Sequence, residues 1–386
     1  MTKYGEYLVN KSLFHYLEIS KDEKCGGIFT RFTPECKVEK EEKHVWFLGR
    51  AMWSFAMTYL HCEKRQEYLD ICGHIFDFLK KIKFVNNRLP LWVTREGELF
   101  TPPSGPYNEG FVAVGCAQYY KATGREDVKE YAERCFDILY DIYFDLLDKR
   151  QNNPAEPVPT QVLGLVMAML NNAQFVRSAG IRVEKANELS AKCVERLAVH
   201  VDEERKLVPE HIPLPGYTVT KEMEHFCPGH IYEAAWFVLC EAEYRGDKEM
   251  ALLGKKLLDY AMPEGFEKMA SLIPTAAKPD TPYNFGDSEY LISWPQQEAI
   301  IAYSLAYQMF GEEKYKRLSD IIEKAATEYF ADDDEDRWYK TIHISDPPVS
   351  DRKDKGSHTE GPFHHERMLI AMDILLTDGN IKRYIS

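Results

Sequence analysis

Absent from these 386 residues is any Cys-x-x-Cys spacing, although nine cysteines are present. The count is odd, and Cys62, Cys72, Cys116, Cys135, Cys193 and Cys240 fall inside helical apolar patterns. They read as free thiols behaving as small hydrophobes, which argues against a disulfide framework or a thiolate zinc site and fits a reducing cytoplasm. No apolar run approaches about 18 residues, so no membrane span is expected, and Met1 to Tyr7 hold no apolar signal core. Positive charge is short: 48 Lys and Arg stand against 62 Asp and Glu, for a net charge of −14. That balance disfavours a nucleic-acid partner, whose binding rests on clustered basic residues. There is no P-loop, no dinucleotide fingerprint and no His-Glu-x-x-His. His225, His230 and His358 are the only conceivable metal grouping, and their spacing matches no known ligand pattern, so neither metal nor cofactor is expected.

What is present is helical periodicity, in pairs. Residues 4–19 read as an amphipathic helix, and 27–32 as a short strand. Helices are expected over 45–62 and 66–84, 108–123 and 126–147, 161–176 and 183–200, 230–245 and 248–262, 296–310 and 313–330, with a short hairpin over 88–100. Gly124, Gly180, Gly246 and Gly311 each end one helix and let the next begin. Five helical hairpins recur every 50 to 70 residues or so, which is a repeat architecture. A sixth forms if 363–376 packs beside the N-terminal helix. The expected fold is therefore all-α: an (α/α)6 barrel of six helical hairpins with short β-hairpins in the loops, residues 1–386 forming one catalytic domain. An open α-solenoid of helix pairs is the alternative. In a closed ring the first helix of each pair is apolar all round and lines the inside; the second carries one charged face outside.

All inner helices then start at one mouth. Trp46 and Arg50 open the first, Tyr107, Asn108 and Glu109 the second, Pro159 and Gln161 the third. His230 and Glu233 open the fourth, Trp294, Gln297 and Glu298 the fifth, His364 and Arg367 the sixth. Aromatic faces with planar hydrogen-bonding groups are what a sugar site uses. Cys227-Pro-Gly-His-Ile-Tyr-Glu233 and Glu360-Gly-Pro-Phe-His-His-Glu-Arg367 each place a histidine just after a Pro-Gly or Gly-Pro break, in a helix's first turn. There the helix dipole favours the neutral imidazole, so His230 and His364 are expected to be two neutral bases at two helix mouths. Trp53 and Trp236, deeper in their helices, read as core.

These residues resemble the N-acylglucosamine 2-epimerase superfamily, which also holds cellobiose 2-epimerases and aldose-ketose isomerases. Gly26-Gly-Ile-Phe with Trp46-Phe-Leu-Gly-Arg50 looks like its Gly-Gly-Phe and Trp-x-x-Gly-Arg segments. Pro228-Gly-His-Ile-Tyr-Glu233 looks like its Gly-His-x-x-Glu, Trp294-Pro-Gln-Gln-Glu298 its Trp-Pro-x-x-Glu, and Phe363-His-His-Glu-Arg367 its terminal aromatic-His-x-x-Arg. The resemblance implies an (α/α)6 barrel, His230 and His364 as the acid/base pair, and Arg50, Glu233, Glu298 and Arg367 contacting substrate or orienting the histidines. Trp46, Tyr107, Asn108, Gln161, Trp294 and Gln297 complete the expected substrate site. Leu48 and Ser293 depart from the family's glutamine and second tryptophan. Pro157-Val-Pro-Thr-Gln161 lacks the third histidine of the cellobiose and aldose enzymes, which favours the N-acylglucosamine branch. The implied reaction is C2 epimerisation of a free aldose through an enediolate. Its rivals are an aldose-ketose isomerase or cellobiose 2-epimerase on the same site, an (α/α)6 glycoside hydrolase using Glu233 and Glu298, and a non-enzymatic carbohydrate-binding protein. A homodimer, and the nucleotide effector of some relatives, are compatible with the sequence but not read from it.

Overall fold

The computed structural model describes residues 1–33, 36–148, 159–218, 224–262, 272–274, 290–331, 338–343 and 362–386. The chain opens with α1 (Lys3–Tyr7), a π-helical turn (Leu8–Ser12) and α2 (Leu13–Ile19). The expected single N-terminal helix is thus widened midway, where buried Ser12 donates a 2.6 Å hydrogen bond to Glu366. The expected strand over 27–32 is replaced by isolated bridges, Lys21 to Ile28 and Phe32 to Val38. Next come β1 (Lys43–His44), α3 (Val45–His61), α4 (Gln66–Leu79), β2 (Trp92–Val93), β3 (Leu99–Thr101), α5 (Tyr107–Thr123) and α6 (Glu126–Asp148). They are followed by β4 (Thr160–Val162), α7 (Leu163–Ser178), α8 (Val183–Val199), β5 (His211–Pro213), α9 (Pro228–Arg245) and α10 (Lys248–Asp259). The last described elements are β6 (Tyr290–Ile292), α11 (Trp294–Phe310), α12 (Glu313–Phe330), β7 (Thr341–His343), α13 (His364–Asp378) and α14 (Lys382–Ile385).

The odd-numbered helices from α3 to α13 pack each on the next, and α13 returns to α3, so the inner ring closes. The open solenoid is thereby excluded. Five inner helices take the helix that follows them as an outer partner; α13 instead takes α1 and the π turn. Burial follows this division. Every residue of α7 from Leu163 to Arg177 is buried, whereas α8 buries only the stripe Ala186, Leu189, Ser190, Cys193, Val194 and Leu197. A helix apolar on all sides can rest only inside other protein, and one with a single stripe must face water on the other side.

Gly124, Gly246, Gly311 and Gly379 end α5, α9, α11 and α13 in the left-handed conformation that an L side chain resists. Gly49 and Gly115 act differently, through contact. A Cβ at Gly49 would fall on the backbone of Phe111 and Val112, and one at Gly115 on the Gly49 carbonyl. Inner helices α3 and α5 therefore cross backbone to backbone.

Among the described residues three small antiparallel sheets rim one end: β1–β2–β3, β4–β5 and β6–β7. β1 and β4 run straight into inner helices, and β6 does so through Ser293. At the opposite end α14 plugs the ring, with Tyr384 packed on Trp53, Phe175 and Trp236. The barrel is open at the rim and closed at the floor.

Candidate active site

At the rim end the inner helices enclose a cavity of about 290 Å³. Its wall includes Trp46, Arg50, Tyr107, His230, Glu233, Trp294, His364 and Arg367, all expected from sequence. Segments of the chain more than 300 residues apart are brought together here.

His230 sits in the first turn of α9, behind Pro228 at the helix start. Its Nδ1 lies 3.0 Å from both carboxylate oxygens of Glu210, a residue just before β5. Glu210 also accepts the backbone N–H of Gly164, at the mouth of α7, at 3.1 Å. A Cβ on Gly164 would sit 2.7 Å from the His230 ring, so the glycine is what allows the three segments to meet. About a third of the His230 side chain, 32%, remains open.

His364 occupies the equivalent turn of α13, with Nδ1 2.8 Å from Glu298 Oε1. Glu298 is fixed from three further directions: Trp236 Nε1 donates to Oε2 at 2.9 Å, and Arg367 Nε and Nη2 donate to Oε1 at 3.1 and 2.5 Å. Arg367 Nη2 also pairs with Glu233. A carboxylate can only accept, so His230 presents Nδ1–H to Glu210 and leaves Nε2 for a ligand; the same assignment at His364 turns Nδ1–H to Glu298, with Arg367 Nη2 also 3.1 Å from that nitrogen. Trp294 stands next to both imidazoles, its ring 5.5 Å from His230 and 5.4 Å from His364.

The two histidines are pushed in opposite directions. Burial lowers the His364 pKa, and the Arg367 and Arg50 guanidinium groups take it well below the ordinary value, so the ring is neutral. Burial also works against a charged His230, but Cys227 and the Glu210 carboxylate outweigh it, and the His230 pKa rises well above the ordinary value. The expectation of two neutral bases is therefore corrected at His230. The helix dipole is a partial charge, and a full carboxylate in contact overrides it. Glu210 mirrors this: burial would raise its pKa, yet the His230 charge and hydrogen bond hold it below the usual carboxylate range. One ring carries a proton and the other has a free lone pair.

The remaining wall is aromatic. Trp46 stacks on Tyr107 and on Phe111 at 5.0 and 5.1 Å. The Arg50 guanidinium lies 4.5, 4.2 and 4.3 Å from the rings of Trp46, Phe111 and Phe363, which fixes a buried cation at the cavity's edge. Burial pushes the Tyr107 phenol up to about 12, keeping it neutral.

Three expected contact residues are placed elsewhere, and Glu298 takes the histidine-orienting alternative. Asn108 turns its amide to the Pro90 carbonyl at 2.9 Å and pins the loop beneath the rim. Gln161 belongs to β4, pairing with Ile212, and its Nε2 bonds the Arg196 carbonyl and His200 Nε2. The helix expected to begin at 161 starts at Leu163, because β-pairing takes up the residues before it. Gln297 is buried beneath the wall at 1% exposure. Glu298 acts from behind His364 and does not line the cavity. Residues missed from sequence are Phe111, Gly164, Met167, Ala168, Asn171, Asn172 and Phe237 on the wall, with Glu210 behind it. Those on α7 follow i, i+3, i+4, i+7 and i+8, so one face of that helix looks inward. The proposed grouping of His225 and His230 with His358 cannot be drawn, since His358 lies outside the described residues, as does Pro157.

Among the described residues two trios of donor atoms lie within 4.8 Å of one another: Glu210, Cys227 and His230, and Glu233, Glu298 and His364. The second already holds the Arg367 cation at both carboxylates. In the first the positive group is His230 itself, at Glu210.

The family described as N-acylglucosamine 2-epimerase matches residues 27–359. The mouse N-acylglucosamine 2-epimerase is 24% identical over 96% of this chain and 90% of its own length. The cellobiose 2-epimerase of Ruminococcus albus is 23% identical over 91% of this chain and 93% of its own. Among solved structures, a sugar epimerase from a ruminal bacterium superposes with a TM-score of 0.80 over 98% of both chains at 18% identity, which shows the shared barrel. A ring of six inner helices with two imidazoles at its mouth thus stands beside matches that run nearly end to end, and the chain belongs to the N-acylglucosamine 2-epimerase family of carbohydrate isomerases.

Proposed function

We propose that this barrel, working as one catalytic domain, epimerises C2 of a free amino sugar, interconverting N-acylglucosamine and N-acylmannosamine. The observation that carries the reading is the pair of imidazoles in one cavity, each tied through Nδ1 to a carboxylate and each beside Trp294. Once the sugar ring is open, neutral His364 removes the C2 proton of one epimer. The C2–H electron pair passes into a C1–C2 double bond and leaves negative charge on O1, an enediolate when C2 carries a hydroxyl and the corresponding enolate when it carries an acylamino group. Arg50, held at the wall by three rings, and Arg367 beside it stabilise that charge. Protonated His230 then gives its Nε2 proton to the other face of C2. Starting from the other epimer the roles exchange.

The acyl group finds a fitting wall on α7. Gly164, Met167 and Ala168 offer apolar surface, and Asn171 and Asn172 offer amides to a carbonyl. The hydrolase alternative loses support. Carboxylates that cleave glycosides flank the bond from two sides, whereas Glu233 and Glu298 share the Arg367 guanidinium and Glu298 stands behind His364, off the cavity wall. All nine cysteines are free, in keeping with a cytoplasmic setting. Among the described residues no helix is long and apolar enough to cross a membrane.

The test is incubation with N-acetylmannosamine in heavy water, followed by NMR. Appearance of N-acetylglucosamine carrying deuterium at C2 is expected. Exchange with mannose or cellobiose but none with the N-acyl sugar would move the substrate to another branch; release of a reducing end from a glycoside would replace the reaction.

A further inference from the structure

The trio of Glu210, Cys227 and His230 is more than a histidine with its orienting carboxylate. We propose that it binds one borderline-soft divalent cation, Zn2+ being the natural case, and that occupancy stops turnover by capturing the imidazole that proton transfer needs. The second half rests on the epimerase reading; the site itself does not.

Thiolate, imidazole and carboxylate are the three donor types that zinc sites combine. Here one donor atom from each lies within 4.8 Å of the other two. A tetrahedral ion about 2.0–2.3 Å from its ligands holds them roughly 3.3–3.8 Å apart, and His230 Nδ1 is already 3.0 Å from both Glu210 oxygens. The sulfur has to draw in, and the nitrogen and carboxylate have to open by roughly 0.3 Å or more to admit the ion. Cys227 is the N-cap of α9, three residues before His230, which places both side chains on one side of the first turn. The carboxylate is held from behind by the Gly164 backbone N–H at 3.1 Å, the kind of outer-sphere support that metal ligands have. The half-buried Cys227 and the partly open His230 ring give an ion a way in. Three protein ligands leave a fourth position for water or a sugar hydroxyl.

Binding requires that the Cys227 thiol and the His230 imidazolium each release a proton as the Zn–S and Zn–N bonds form. No electron changes hands. With Zn2+ in place of the Nδ1 proton, His230 keeps its one remaining proton on Nε2: it has no lone pair with which to accept from C2, and giving that proton up would leave an imidazolate. Cys36 and His15 form a second thiol–imidazole contact, Sγ to Nε2 at 3.2 Å, but no carboxylate completes a trio there among the described residues.

The full-length protein, freed of metal by chelation and desalting, is titrated with Co2+ alone. One equivalent is expected to bind with a sulfur-to-cobalt charge-transfer band and the strong visible bands of a four-coordinate ion, both bleached by Zn2+. Cys227→Ser should lose the charge-transfer band, and Cys36→Ser should keep it. In C2 exchange, Zn2+ should inhibit the native protein. Half-inhibition of Cys227→Ser, measured against its own metal-free rate, should need at least about tenfold more Zn2+, the smallest loss that disturbing a metal site usually brings. Absence of stoichiometric binding, or a band that survives Cys227→Ser and disappears in Cys36→Ser, would overturn the site. Cys227-dependent binding that leaves exchange unaffected overturns the inhibition. If the metal-free native protein turns over no sugar at all, it is the epimerase reading that has failed, while the cobalt spectra still judge the site.

Discussion

Replacing Glu210 by Gln removes the carboxylate that holds His230 Nδ1 while keeping the shape of the side chain. In the native protein the productive protonation state needs His364 without its extra proton and His230 with it. The first holds above the lowered His364 pKa, and the second below the raised His230 pKa. Activity should therefore fall on the acid side as His364 is protonated and on the alkaline side as His230 loses its proton. Both epimers should share these limbs, since the reverse reaction uses the same number of protons in exchanged positions. An opposite charge in contact moves a pKa by about 1–3 pH units, and each unit is about 1.4 kcal/mol. Glu210→Gln should thus carry the alkaline limb of kcat/KM toward acid by about 1–3 pH units and leave the acid limb in place. Measurement of kcat/KM from pH 5 to 10 for both proteins decides it. An alkaline limb that stays put, with only the plateau reduced, would refute the assignment of His230 as the proton carrier set by Glu210.

His230→Asn and His364→Asn should each lower kcat by about 10²–10⁴-fold while circular dichroism and the unfolding midpoint stay near native, as loss of a general acid or base does. Gly49→Ala should destabilise by about 1–3 kcal/mol or more in urea unfolding, because the new methyl meets the backbone of α5, which cannot turn aside; a change below about 0.5 kcal/mol would contradict the close crossing. His61 and His200 are held neutral by burial, their pKa values lowered to about 3 and about 4. The unfolded chain then binds more protons, so below about pH 6.5 each should cost the fold about 1.4 kcal/mol per pH unit until its folded pKa is reached. His61→Leu should accordingly raise the thermal midpoint more at pH 5 than at pH 8, and an equal change at both would show that His61 does not titrate with folding.

The fold was readable because inner and outer helices differ in pattern along their whole length. A helix such as α7, apolar all round, and one such as α8, with a single stripe, leave little choice of where each belongs. The breaks before His230 and His364 likewise mark two helix mouths, and both side chains meet in the cavity. What stayed hidden depends on contacts between segments. Gln161 and Asn108 have the right chemistry at the right ends of the chain's elements, but β-pairing and a loop carbonyl claim them. Glu210 lies in a loop with no motif around it, and its partners are 20 and 46 residues away. With Cys227 it nonetheless raises the His230 pKa, against a helix dipole that sequence alone could see. The inward face of α7 had a readable period, but its residues are apolar or amide and carry no chemical flag.

Two imidazoles sharing the work at one carbon make a demand that no single base would meet. With His230→Asn in heavy water, one epimer should lose its C2 hydrogen to solvent through His364 without inverting, and the other should be inert; with His364→Asn the two sugars should trade places. NMR of each starting epimer with each variant gives the four results directly. Washout confined to opposite epimers in the two variants is the expected outcome, and inversion at C2 by either variant at near-native rate would contradict it.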